Sequence, residues 1–106
     1  MLETFTIPDL DIHALASASE NIWEYAMCDR NPLPRWSFGR ATLMGDAAHP
    51  MYPNGSNGAS QAIIDARTLA RELVLQSSVE AAIAAYDAQR RPQTARVVMA
   101  NRQGGP

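Results

Sequence analysis

The sequence has no lysine and a single cysteine, Cys28, in 106 residues. One cysteine leaves no intrachain disulfide, which excludes a small secreted scaffold held by such bonds and makes the cytoplasm the expected location. All nine basic residues are arginine, set against eleven carboxylates for a net charge of -2. That balance offers no general attraction to nucleic-acid phosphates or to an anionic bilayer, so neither is expected as a partner. No apolar run approaches the roughly 18 residues of a membrane span, and the first residues lack a basic stretch followed by an apolar one, so no anchor or signal peptide is expected. Internal repeats and low-complexity segments are also lacking. Asp46 and His49 have no third ligand at a metal-binding spacing, so no metal site is expected. No serine lies in a nucleophile-elbow pattern and His13 has no evident partner, which leaves a hydrolase without support.

What is present is 46% hydrophobic residues, ordinary for a folded chain and enough for one domain with a modest core. Small domains bury a smaller share of their surface, so a homodimer or higher assembly is expected. Asp9 or Asp11 is placed to cap a short helix, with Ile12, Leu15 and Ala16 at helical spacing and an end near Ser19. Ile22 to Cys28 is aromatic and apolar without helical periodicity, which predicts a buried strand. Asn31, Pro32 and Pro34 then interrupt the chain. Trp36–Phe38 reads as a short strand, Gly39-Arg40 as a turn, and Ala41–Met44 as a buried strand that Gly45 stops.

Ala62, Ile63, Ala66, Leu69, Ala70 and Leu73 recur at three and four residues, predicting a helix over 58–76. Ser77 with Glu80 resembles a capping box that opens a helical segment over 78–102, which Pro92 should kink or divide. Arg90, Arg91, Arg96 and Arg102 read as a solvated basic face. Trp23, Tyr25 and Trp36 are assigned to core or interface, and Met44 and Met51 to packing. The fold class is therefore α+β: a small sheet over about 22–44, packed by the long helix and the C-terminal helical segment, with open edges that invite self-association.

The informative stretch runs from Leu43 to Ala66. A strand delivers Asp46 to its end, a proline-stiffened loop follows, and glycines precede a helix start. Such a start offers unpaired backbone N–H groups and about half a positive charge, which suits an anionic or carbonyl-rich ligand. Phosphate, carboxylate and flavin all satisfy that description. Asp65 is expected either to lie on a polar helix face or to accept bonds from the preceding loop, and His49 to bond locally at the loop start.

Gly45-Asp46-Ala47-Ala48-His49, Pro53, Gly55, Gly58 and Asp65-Ala66 resemble, nearly position by position, the second flavin-binding motif of the flavoprotein aromatic hydroxylases, the group that includes p-hydroxybenzoate and salicylate hydroxylases. Asp29 to Trp36, Tyr86 to Pro92 and Ala100 to Arg102 look most like its phenazine-carboxylate branch, so the resemblance spans about three quarters of the chain.

It implies that Gly45, Asp46, Pro53, Gly55, Asn57, Gly58, Ala59 and Ser60 face FAD. Asp46 would accept a bond from a ribityl hydroxyl, Pro53 and Gly55 would shape the wall beside the isoalloxazine, and the Ala59 and Ser60 amides would face its pyrimidine carbonyl. None of these is assigned a catalytic role. The implied parent reaction uses NAD(P)H and oxygen, with a flavin C4a-hydroperoxide inserting oxygen into an aromatic small molecule.

Asn57, Ser60 and Ile64 depart from the residues common in that family, which bears on side-chain contacts to the ring rather than on backbone ones. The family also holds the ADP part of FAD with a Gly-x-Gly-x-x-Gly turn, a pattern absent from this sequence. The 106 residues are thus expected to form one partial domain, the C-terminal part of a p-hydroxybenzoate-hydroxylase-like fold, inactive alone and weak or lacking in flavin affinity. The alternative is a non-catalytic, self-associating interaction module that keeps the same fold.

Overall fold

The computed structural model describes residues 7–103. Helix α1, Ile12–Ser17, begins where Asp11 Oδ1 accepts the Ala14 N–H at 2.9 Å, so Asp11 and not Asp9 is the cap. It is six residues long and buries none of them, too short to be stable by propensity alone.

The strand expected at Ile22 to Cys28 does not form. Residues 21–33 have no regular structure, and Ile22, Trp23 and Tyr25 are 69%, 74% and 80% exposed. A strand is stable only when its N–H and C=O groups meet a neighbour, and the residues described here supply none for this segment. The assignment of Trp23 and Tyr25 to a core fails for the same reason.

The sheet is a two-stranded hairpin, β1 (Ser37–Phe38) and β2 (Ala41–Thr42), paired antiparallel with Ser37 opposite Thr42 and Phe38 opposite Ala41. Gly39 has φ +60°, the left-handed first position that two-residue hairpin turns favour. Leu43 still donates its N–H to the Trp36 carbonyl at 3.1 Å, but regular pairing ends at Thr42, so the expected strand over 41–44 is half as long.

Helix α2 spans Gly58–Leu75 and helix α3 Val79–Gln103. The cap of α3 is Ser78, whose Oγ accepts the Ala81 N–H at 3.1 Å. Ser77 is one residue too early, and Glu80 instead faces Arg40 in an exposed ion pair. Pro92 does not divide α3. The inward face runs through Tyr86, Arg90, Thr94 and Val98 at four-residue steps, whereas Pro92 and Ala88, whose carbonyl the proline leaves unbonded, are exposed to water.

Trp36, Ala48 and Tyr86 form the centre of the core, with Leu33, Leu43 and Leu69 against it. Asp87 ties the hairpin to α3: its Oδ2 accepts the Trp36 and Ser37 N–H groups at 2.9 and 3.0 Å, and its Oδ1 the Arg91 Nε–H. Burial raises the Asp87 pKa, but these donors outweigh it and hold the carboxyl below its ordinary value. Burial, with the nearby Asp65 carboxylate, pushes the Tyr86 phenol above its own.

Helix α2 is inverted relative to a usual surface helix. It buries Asp65, Thr68 and Glu72, while Ile63 and Val74 are 70% and 84% exposed. The radius of gyration, 18.8 Å, also exceeds the roughly 13 Å of a compact domain of 100 residues.

Candidate functional site

The site is assembled from the turn after β2 and the start of α2. Met44 is extended, and Gly45–Ala47 forms a 3-10 turn that begins with Gly45 at φ +59°. A side chain at Gly45 would be strained by that φ and would come within 3.4 Å of Ala62 Cβ. Asp46 is exposed on the turn while Gly45 beneath it is buried.

Asp65 holds this turn against α2. Its side chain is 0% exposed, and its Oδ2 accepts the Gly45 N–H at 3.0 Å and lies 2.6 Å from His49 Nε2. Its Oδ1 accepts Arg90 Nε–H at 2.7 Å. Burial alone would raise the Asp65 pKa, but the bonds from His49, Arg90 and Gly45 outweigh it and hold the carboxyl below its ordinary value. Asp65 thus accepts bonds from the preceding loop, as the sequence reading allowed. His49 bonds locally through its backbone N–H, which donates to the Gly45 carbonyl at 2.9 Å, while its side chain reaches across to α2.

The loop then crosses to a second 3-10 turn, Pro53–Gly55, closed by Ser56 in a left-handed conformation at φ 49°. Helix α3 holds it from behind: Asn101 Nδ2 donates to the Tyr52 carbonyl at 3.1 Å. A Cβ at Gly55 would lie 2.5 Å from Asn57 Nδ2 and 2.8 Å from Asn101 Oδ1, so only glycine fits without a shift.

Among the described residues no side-chain cap closes the N-terminus of α2. The Gln61 N–H bonds to the Asn57 carbonyl, leaving the amides of Gly58, Ala59 and Ser60 ahead of it, where the helix dipole is positive.

Asp46, Met51, Tyr52, Pro53, Ser56, Gly58 and Ala59 line one open cleft of about 390 Å³. Of the residues selected from sequence, Asp46, Pro53, Gly58 and Ala59 therefore share a cavity wall. Gly45 lies buried under the turn, and Gly55 packs against Asn57 and Asn101. Asn57 is half-buried at the helix start, and Ser60 is exposed on the first turn without lining the cleft. A Cβ at Gly58 would find only Asp46 Oδ1, at 3.9 Å, so the backbone here stands open to close approach. An open backbone edge, bare amides and an acceptor carboxylate on one wall fit a flat, polar ring bearing a hydroxylated chain.

Sequence reasoning missed Arg90, Gln61, Tyr52 and Asn101. Arg90 belongs to the interior, with Nη2 donating to Gln61 Oε1 at 2.7 Å. The four-residue step from Tyr86 through Arg90 to Thr94 was the available signal. No group of three His, Cys, Asp or Glu side chains able to hold a metal occurs among the described residues, and among them no helix is long and apolar enough to cross a membrane.

A family model described as "FAD binding domain" matches residues 9–101, and the chain belongs to that family. It is 59% identical over 93 residues to a phenazine 1,6-dicarboxylic acid hydroxylase of Lysobacter antibioticus, covering 88% of this chain and 23% of that protein. A 3-hydroxybenzoate 6-hydroxylase of Aquipseudomonas alcaligenes is 49% identical over 78 residues, covering 73% and 20%. Among solved structures, a salicylate hydroxylase substrate complex superimposes with TM-score 0.62 at 35% identity, over 69% of this chain and 19% of that one. The chain thus spans between 20% and 23% of the length of these two curated relatives.

Proposed function

We propose that this chain is the flavin-ring-facing portion of an FAD-dependent aromatic-ring monooxygenase whose parent uses NAD(P)H and acts on an aromatic small molecule. The observation that carries this reading is the shared wall: Asp46 and the first amides of α2 border one cleft. Within it the Asp46 carboxylate accepts a hydrogen bond from a ribityl hydroxyl, which positions the cofactor without moving a proton. The α2 amides would offer fixed positive dipoles to a ring carbonyl of the bound cofactor. Pro53 stiffens the adjacent wall. Asp65, with Gly45, His49 and Arg90, keeps the Asp46 turn in register with the helix start. Bound FAD supplies the redox and oxygen-transfer chemistry.

The chain's small share of its relatives and the lack of a Gly-x-Gly-x-x-Gly turn in it support the further reading that most FAD contacts belong to a larger flavoprotein fold, of which this is one partial domain. By itself it binds flavin weakly and does not hydroxylate. Exposed apolar surface at Ile22, Trp23 and Tyr25 and along α2 supports self-association of the isolated chain. That exposure is equally expected of a partial domain, so it does not favour the alternative of a dedicated interaction module.

The test is a chimera in which this chain replaces the homologous segment of the phenazine dicarboxylate hydroxylase. The expected product is yellow and active, and Asp46→Ala in it lowers FAD affinity at least about tenfold, the loss of a charge-assisted bond, with its circular dichroism unchanged. A folded but colourless chimera, or full FAD affinity in the Asp46→Ala form, refutes the reading.

A further inference from the structure

His49 has a feature the cleft does not explain. Its side chain is 3% exposed, and its Nδ1 is buried with no hydrogen-bond partner among the described residues. Buried polar atoms nearly always have one. His49 also walls a small cavity beside Trp36, Arg30, Arg91 and Thr94, with about 10 Å³ of room for the centre of a water molecule. One water needs roughly 10–15 Å³ by that measure, so the space matches a single water and is too small for a polyatomic anion or an aromatic substrate. Polar neighbours are at hand. Thr94 Oγ1 spreads its proton between the Arg90 and Arg91 carbonyls, at 3.3 Å each, which leaves its lone pairs to accept.

Asp65 Oδ2, an acceptor-only carboxylate 2.6 Å from Nε2, sets the proton of a neutral imidazole on Nε2 and leaves Nδ1 as an acceptor, and we propose that one buried water occupies this cavity and donates to His49 Nδ1. A neutral imidazole has one donor and one acceptor nitrogen, and the partner of one sets the role of the other. With Nδ1 accepting from water, Nε2–H donates to Asp65 Oδ2. The carboxylate then receives the His49 ring, the Gly45 amide and Arg90 as three donors, and through the Gly45 amide it holds the turn that carries Asp46. His49 is a positioning residue acting through Asp65, and the water is the last member of the chain.

The unmodified 15N-labelled chain tests this by NMR at neutral pH. Long-range imidazole spectra are expected to show an unprotonated Nδ1 and a protonated Nε2, with magnetisation transfer from a long-lived water to His49 or Thr94 protons. A proton on Nδ1, or no such transfer, overturns the proposal. So does movement of the His49 resonances on titration with chloride or phosphate, which would make the cavity an anion site. Thr94→Val keeps the shape and removes the hydroxyl; it is expected to shorten the water's residence and weaken the transfer. Undiminished transfer in a folded Thr94→Val protein also overturns the assignment, and should that variant not fold, the measurements on the unmodified chain decide.

Discussion

Replacing Arg90 with methionine is expected to be among the most damaging single changes in this chain. The substitution keeps much of the apolar stem, yet it strips Asp65 Oδ1 of its only charged donor among the described residues, bonded at 2.7 Å, and breaks the bond to Gln61 at 2.7 Å. Removing one partner of a buried ion pair costs about 3–5 kcal/mol, because the remaining charge stays out of water. A domain this small has a total stability toward the low end of about 5–15 kcal/mol. With a urea dependence of about 1.5 kcal/mol per molar, the unfolding midpoint falls by about 2–3 M.

The same reasoning fixes the pH dependence. The folded pKa of Asp65 is depressed, so its contribution is fully present above the ordinary carboxylate pKa of about 3.9 and is lost as pH falls through the lower folded value. In Arg90→Met the burial effect is less opposed, the carboxyl moves up, and acid unfolding begins at a higher pH. Adding Asp65→Asn removes the stranded charge and should recover part of the loss. Urea melts followed by circular dichroism, for both single variants and the double, measure each quantity. A cost below about 1 kcal/mol for Arg90→Met, or a double variant no more stable than it, refutes the reasoning.

Gly55→Ala places a methyl 2.5 Å from Asn57 Nδ2 and 2.8 Å from Asn101 Oδ1; both are side-chain ends that can swing aside, so by urea melt it should cost about 1 kcal/mol, the worth of the Asn101–Tyr52 bond it disturbs. Ser78→Ala removes the observed cap of α3 and should cost about 1 kcal/mol in the same assay. Ser77→Ala is the matched control, expected to change stability by less than about 0.5 kcal/mol.

The long helices were legible because their evidence is local: apolar spacing marked α2 to within one residue of its end, and the Ser77–Glu80 pattern marked the start of α3 to within one. The motif likewise led to Asp46, Pro53, Gly58 and Ala59, which the fold brings to one wall. Ile22 to Cys28 was misread because β-propensity states what a segment suits, whereas pairing depends on a neighbour elsewhere. Arg90 was misread because an arginine in a charged stretch is usually solvated, and its burial depends on an aspartate 25 positions away. Pro92 kept its helix because its ring faces water, a fact of three-dimensional packing that counting prolines does not contain.

The inverted character of α2 has a practical consequence for anyone preparing this chain alone. Its greasy side can be rewritten without touching the carboxylate that organises the loop, since the two lie on opposite flanks of one cylinder. Charged residues at Ile63 and Val74, which are already wet, should give a better-behaved sample for spectroscopy. A screen guided by the habit of keeping helix hydrophobes and changing buried acids would remove Asp65, which ties the start of the loop to α2.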